Sequence, residues 1–144
     1  MHFLRTTKKL YMKDKKILYV SSEVVPYLPE TEISSMSFEA SRMVNSNKGQ
    51  IRIFMPRYGN INERRHQLHE VIRLSGMNLV INDMDVPLII KVASIPKERM
   101  QVYFIDNEDY FKRKATFEDE DGKLFDDNDE RAIFFAKGVI ETVK

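Results

Sequence analysis

Two short apolar runs joined by one amphipathic segment constrain this chain more than any other feature. Residues 17–21 (ILYVS) and 51–55 (IRIFM) are apolar and β-rich, as strands buried on both faces of a parallel sheet are. After the first run, Pro26 and Pro29 forbid continued pairing. From there Ile33, Met36, Ala40, Met43 and Val44 recur at helical spacing and define a stripe expected to face the core. Gly49 stands where such a helix stops, with Lys48 complementing its C-terminal dipole. Pro56 and Gly59 close the second run. Strand, helix and strand within about forty residues form a βαβ unit, whose crossover is right-handed.

The 144 residues suffice for one domain with a core. Residues 70–74 and 77–81 are expected as two strands around the turn Ser75-Gly76. Residues 88–94 (LIIKVAS) and 100–105 (MQVYFI) are expected as further strands, partly antiparallel, inserted in or extending the first sheet. A charged loop over 112–127 precedes a last helix with Asn128 as its N-cap. Its buried face is expected to carry Ala132, Phe135, Ala136, Val139, Ile140 and Val143. The fold class is therefore α/β and Rossmann-like: a mostly parallel sheet with helices on both faces, expected to be an incomplete domain. Residues 1–14 are expected to be a disordered leader or a misplaced start, with Met12 a second plausible initiator, and 15–144 the domain.

Composition removes several function classes. A net charge of +1 provides no bulk field for nucleic acid or an anionic membrane. No segment approaches the ~20 apolar residues of a spanning helix, and the basic N-terminus lacks the apolar core of a secretory signal. Without cysteine there is no disulfide framework and no thiolate zinc site, which suits a cytoplasmic protein. The acidic run at 117–130 imitates part of an EF-hand, but Phe117 falls on the first ligand position and Asn128 on the bidentate glutamate. His66 and His69 lack a third ligand at a useful spacing. Neither a metal nor a cofactor is expected.

The connection between the first run and the helix, residues 20–40 (VSSEVVPYLPETEISSMSFEA), is where α/β enzymes often hold a phosphate. A phosphate there favours glycine, for close approach of the backbone, and lysine, for counter-charge. Pro29, Glu30, Thr31 and Glu32 supply neither. They provide what a helix needs for itself: Thr31 as N-cap, with carboxylates against the dipole.

The runs SSEVVPY, PRYGNI, VYFIDNEDYFKR and DDNDERAIFFAKGVIE resemble the N-terminal domain of bacterial glycogen synthases and plant starch synthases over residues 15–144. Within that family the resemblance is to a short glycogen-synthase-like group of Bacteroides-type bacteria. It implies a GT-B type N-terminal domain, one of two Rossmann-like domains facing a cleft, and retaining transfer of glucose from ADP-glucose to an α-1,4-glucan. The family's donor turn reads Lys-Thr-Gly-Gly-Leu-Ala-Asp. Its lysine falls on Pro29, its glycines on Thr31 and Glu32, and its aspartate on Ser35, while Ile33 keeps the hydrophobic position. Asp127-Asn128 with Arg131 matches the family's Asp-Asn-x-x-Arg, and Tyr110 matches the tyrosine of its Ile-Asp-x-x-x-Tyr-Phe. The resemblance implies that Tyr110, Asn128 and Arg131 line the acceptor side. The altered donor turn and the missing second domain imply no independent transfer. The alternative is a non-catalytic module that binds α-glucan, a sugar nucleotide, or a partner domain or synthase subunit.

Overall fold

The computed structural model describes residues 12–144; residues 1–11 of the leader expected over 1–14 lie outside them. Met12 is tied to the domain, its N–H donating to the Asn47 carbonyl at 3.2 Å. The first elements are β1 (Lys16–Val20), α1 (Glu32–Ser46), β2 (Gln50–Pro56), the single turn α2 (Glu63–His66) and the short β3 (His69–Glu70). A 3-10 turn (Ile72–Leu74) leads to β4 (Asn78–Ile81), β5 (Met84–Pro87), β6 (Ile89–Ile95) and β7 (Met100–Asp106). The chain closes with the single turn α3 (Glu108–Phe111) and α4 (Asn128–Val143).

The expected βαβ unit is present. β1 and β2 pair in parallel, Ile17 opposite Ile51 and Val20 opposite Phe54. β7 continues the parallel sheet on the other side of β2, then β6 runs antiparallel to β7 and β3 antiparallel to β6. The order is β1-β2-β7-β6-β3, so the expected antiparallel extension is also found. Parallel register places Ile53, Val102 and their alternates on one face, and Phe54, Tyr103 and Ile105 on the other. α4 packs on the second face, where Gly138 admits the Ile105 side chain: a Cβ at Gly138 would stand 2.7 Å from Ile105 Cγ2.

Three expectations need correction. Residues 70–74 and 77–81 do not pair around Ser75-Gly76. Residues 72–74 form the 3-10 turn, and β4 pairs with β5 in a separate hairpin. Its two-residue turn is Asn82-Asp83, with φ of 51° and 62°, the left-handed pair that a right-twisted hairpin needs. Asparagine and aspartate tolerate that region, so no glycine marked the turn.

The second correction concerns α1. Its buried residues are Ser34, Ser37 and Ser41, whereas Ile33, Met36 and Met43 are 55%, 66% and 52% exposed. Ala40 and Val44 are half-buried. Two stripes offset by one residue share the same period, so periodicity selected the larger side chains. Serine wins because it is small enough to bring the helix close to the sheet and because its hydroxyl finds local partners. Ser37 Oγ donates to the Ile33 carbonyl at 2.7 Å and lies 2.8 Å from Ser21 Oγ at the end of β1.

The third is the face of α4. Arg131, Phe134, Gly138 and Val139 are buried, while Ala132, Ala136, Ile140 and Val143 are exposed and Phe135 is half-buried. Val139 alone of the expected set is fully covered. The reason is again a small residue at the contact, Gly138, which turns the helix to bring Phe134 inward.

The corrected face of α1 makes a direct test. Met36→Lys is expected to change unfolding free energy by no more than about 0.5 kcal/mol. Ser37→Leu, one residue on, is expected to cost about 1–3 kcal/mol by overpacking. Urea unfolding of both variants reads the difference, and the opposite ranking would restore the methionine stripe to the core.

Candidate functional site

The carboxyl ends of β1, β2 and β7 form one rim, and the residues singled out in the sequence stand along it in two groups. In open α/β sheets this is the rim where ligands bind.

The first group is the turn into α1. Pro29, Glu30, Thr31 and Glu32 are exposed and Ser35 is half-buried. Thr31 is the N-cap, as expected. Its Oγ1 accepts from Ser34 N–H at 3.0 Å, and Ser34 Oγ accepts from Thr31 N–H at 2.7 Å, a reciprocal capping box built with serine in the third helical position. Ser34 Oγ also approaches the Pro29 carbonyl at 3.0 Å. Thr31 Oγ1 lies 3.2 Å from Glu23 Oε2, and Ser35 Oγ 3.4 Å from Glu30 Oε1. The N–H groups of Thr31 and Ser34 are thus engaged inside the turn, with the carboxylates of Glu23 and Glu30 beside it.

The second group is held by Arg131. Asn107 begins its placement: Asn107 Oδ1 accepts from Asp109 N–H and Tyr110 N–H, opening α3, while its Nδ2 donates to the Pro87 carbonyl. The Tyr110 carbonyl then accepts from Arg131 Nε at 2.9 Å. Arg131 Nη1 donates to the Thr116 carbonyl at 2.6 Å and to Asn128 Oδ1 at 2.8 Å. Asn128 Nδ2 donates to the Phe117 carbonyl, so Asn128 fastens the loop. It is not the cap. Asp127 occupies that position without a side-chain cap bond, because its carboxylate is engaged by Arg113 through paired contacts of 2.6 and 2.7 Å. Tyr110 Oη lies 3.4 Å from Glu130 Oε2, so the phenol faces α4.

The expected residues therefore come together as Tyr110–Asn128–Arg131 on one side and residues 29–35 on the other, with no hydrogen bond between the groups. Tyr58 stands between them electrostatically: burial pushes its phenol up to about 12, against Arg131, which lowers it, and with Glu23, which raises it. Arg113, Tyr58 and Glu23 were not singled out in the sequence. Glu23 lies inside the SSEV run, and its position at the end of a strand beside Pro26 was the available signal.

Elsewhere the structure separates what the sequence juxtaposed. His66 lies in α2 against the Tyr27 ring, 5.0 Å between centroids, while His69 lies in β3. Burial lowers the His66 pKa, with Arg65 adding to it. In the acidic run, Asp119 Oδ1 accepts from the N–H groups of Asp121 and Lys123 and folds a tight turn at Gly122. Among the described residues no three histidine or acidic side chains stand together as a metal set, and no helix is long and apolar enough to cross a membrane.

The family model described as "Starch synthase catalytic domain" matches residues 16–144. The glycogen synthase of Chlorobium limicola is 38% identical over 130 residues, covering 90% of this chain and 27% of that enzyme. The glycogen synthase of Chlorobaculum tepidum is 38% identical over 129 residues, covering 89% and 26%. Among solved structures, the catalytic domain of starch synthase IV from Arabidopsis thaliana, bound to ADP and acarbose, superposes with a TM-score of 0.70 at 14% identity. It covers 94% of this chain and 25% of that one, and supports the fold. The chain thus spans about a quarter of the length of the relatives it matches.

Two variants test the site's framework. Thr31→Ala is expected to cost about 1 kcal/mol, a fall in Tm of about 3 °C for a chain of this size. The Arg113 hydrogen bonds hold the Asp127 carboxyl below its ordinary value. A depressed pKa gives stability that is full above the unfolded value and is lost as pH falls through the folded one. Asp127→Asn is therefore expected to be less stable than wild type at neutral pH, the two converging as acid unfolding is followed below about pH 4.

Proposed function

Because the chain belongs to the starch synthase catalytic-domain family, we propose that it contributes a glucan-facing rim of a glucosyltransferase fold and does not transfer glucose by itself. The observation that carries this reading is the N-terminus of α1, where Thr31 and Ser34 cap each other, Pro29 stands at the family's lysine position and Thr31 and Glu32 at its glycines. Two like charges about 4 Å apart repel by about 4 kcal/mol at an effective dielectric of 20. A donor diphosphate is disfavoured there on that scale, while the hydroxyls of an α-1,4-glucan donate to the same carboxylates. Tyr110, Asn128 and Arg131 form the acceptor side in this proposal, with Tyr58 between.

In the family's reaction, ADP-glucose delivers its glucose to a glucan non-reducing end with retention, inside a water-poor cleft between two domains. Lacking donor contacts on its own turn, this chain would act as a binding or regulatory module. A second reading, a partner domain or synthase subunit, is favoured by β1, which is an edge strand among the described residues. Leu18 and Val20 are 46% and 47% exposed there, beside Val143 of α4. Edges of this kind accept a further strand. Either role fits a cytoplasmic chain without cysteine or bulk basic charge.

Thermal unfolding with millimolar ADP-glucose, ADP, UDP-glucose and maltooligosaccharides tests the proposal. Maltooligosaccharides alone are expected to raise Tm, by the equivalent of about 2.7 kcal/mol at a hundred times Kd. Glu30→Ala and Glu32→Ala are expected to weaken co-sedimentation with glucan. A shift with ADP-glucose, or glucan elongation from it, would overturn the reading.

A further inference from the structure

The amino ends of β1, β2 and β7 lie opposite the rim, and there the sheet carries a row of polar side chains. Arg52 of β2 stands beside Gln101 of β7, and Gln101 beside Ser94 of β6. Residues in register across strands share a face, and Gln50, two before Arg52, lies on the same one. All four are exposed, while their neighbours Ile51, Ile95 and Met100 alternate to the other face and are buried. The turn from β6 to β7 adds Arg99, held in the left-handed region at φ 57° with its N–H on the Ile95 carbonyl at 3.1 Å. Asn45 Nδ2 donates to the Glu98 carbonyl at 2.8 Å and fastens that turn to the end of α1.

Asn45, Gln50, Arg52, Ser94, Arg99 and Gln101 line a half-open basin of about 420 Å³, a volume within the range of small-molecule sites. Its walls are almost wholly polar, and no lining residue is acidic. Arg52 Nη1 meets only the carbonyl of its neighbour Ile51, at 3.3 Å. Among the described residues neither arginine forms an ion pair. The carbonyls at the end of α1 would repel an anion, but those of Met43, Val44 and Asn45 accept from the N–H groups of Asn47, Gly49 and Lys48. Guanidinium groups match phosphate oxygens, and carboxamides both donate to and accept from hydroxyls. An apolar ring or chain would find little surface here to bury against.

We infer that this basin binds a small phosphate monoester on a polyhydroxy carrier, with the phosphate on Arg52 and Arg99 and the hydroxyls on the amides of Gln50 and Gln101. The site lies at the other end of the sheet from residues 29–35 and from Tyr110, Asn128 and Arg131, and does not rest on the glucan reading.

The test is titration of the whole isotopically labelled chain with glycerol 3-phosphate, and with glycerol as its neutral counterpart, followed by NMR at constant ionic strength. Glycerol 3-phosphate is expected to bind saturably, shifting the side-chain amides of Gln50 and Gln101, and glycerol at least about tenfold more weakly. Affinity is expected to fall between pH 7.5 and 5.5, as the monoester loses its second charge near a pKa of about 6. Arg52→Gln and Arg99→Asn are each expected to lose at least about tenfold with Tm retained, both positions being exposed and asparagine tolerating the left-handed region. Lys13→Gln removes the same charge from an exposed residue outside the basin, and is expected to change affinity by no more than about twofold. Equal affinity for the two probes, equal loss in the Lys13 variant, tighter binding of an oligonucleotide at equal phosphate concentration, or no saturation by about 10 mM would each overturn the proposal.

Discussion

The carboxylate of Asp106, 1% exposed at the end of β7, is the group around which the rim is arranged. A charge at that depth must be neutralised where it stands. Lys91 from β6 reaches it at 2.8 Å, and Arg57, just past β2, lies 3.1 Å away, close enough to pair though not aligned as a hydrogen bond. Glu63 of α2 closes the set, 2.7 Å from Lys91. Two cations and two acids thus tie β2, β6, β7 and α2 at one level, with formal charges that cancel. The next residue, Asn107, opens α3 and so delivers the Tyr110 carbonyl to Arg131. The position of the Arg131 group on the rim depends on this sequence of contacts, and loss of one charged member would leave the others without balance.

The two buried arginines show how similar residues are used differently. Arg57 is spent on carboxylates and fixes strand ends. Arg131 is held by carbonyls and rings, which positions it without discharging it. A guanidinium suits both tasks, since it is planar, permanently charged and able to stack on aromatic faces. On the opposite side of the rim, the helix terminus that could have received an anion satisfies itself through Thr31 and Ser34. The fold therefore keeps a guanidinium under the aromatic wall and carboxylates at the turn.

Apolar surface is distributed in a way that matters for assembly. Ile33, Met36 and Met43 lie along the outer face of α1, and Leu18 and Val20 along β1, an edge strand of parallel hydrogen-bonding geometry. Parallel sheets are ordinarily covered on both faces. Among the described residues α4 packs on β7 and β2 but leaves the β1 flank open, with Val143 at its border.

The sequence by itself determined the βαβ unit, the strands at β6 and β7, the cap at Thr31 and the family, because each rests on local chemistry: β-branched runs, proline breaks, a threonine before acids, and contiguous motif residues. It did not determine which helix faces are buried. Ser34, Ser37 and Ser41 lie one residue from the apolar stripe of α1, and Gly138 turns α4 toward Ile105. Both outcomes depend on how closely a backbone approaches the sheet, a distance that periodicity does not contain. The hairpin at Asn82-Asp83 was hidden because its turn uses non-glycine residues in the left-handed region. At the site, Tyr110, Asn128 and Arg131 were legible as motif positions. The pairing of Arg113 with Asp127, and the burial of Arg131 among carbonyls and rings, were decided by tertiary structure alone, since the partners are separated in sequence and only packing determines which charge finds a counter-charge.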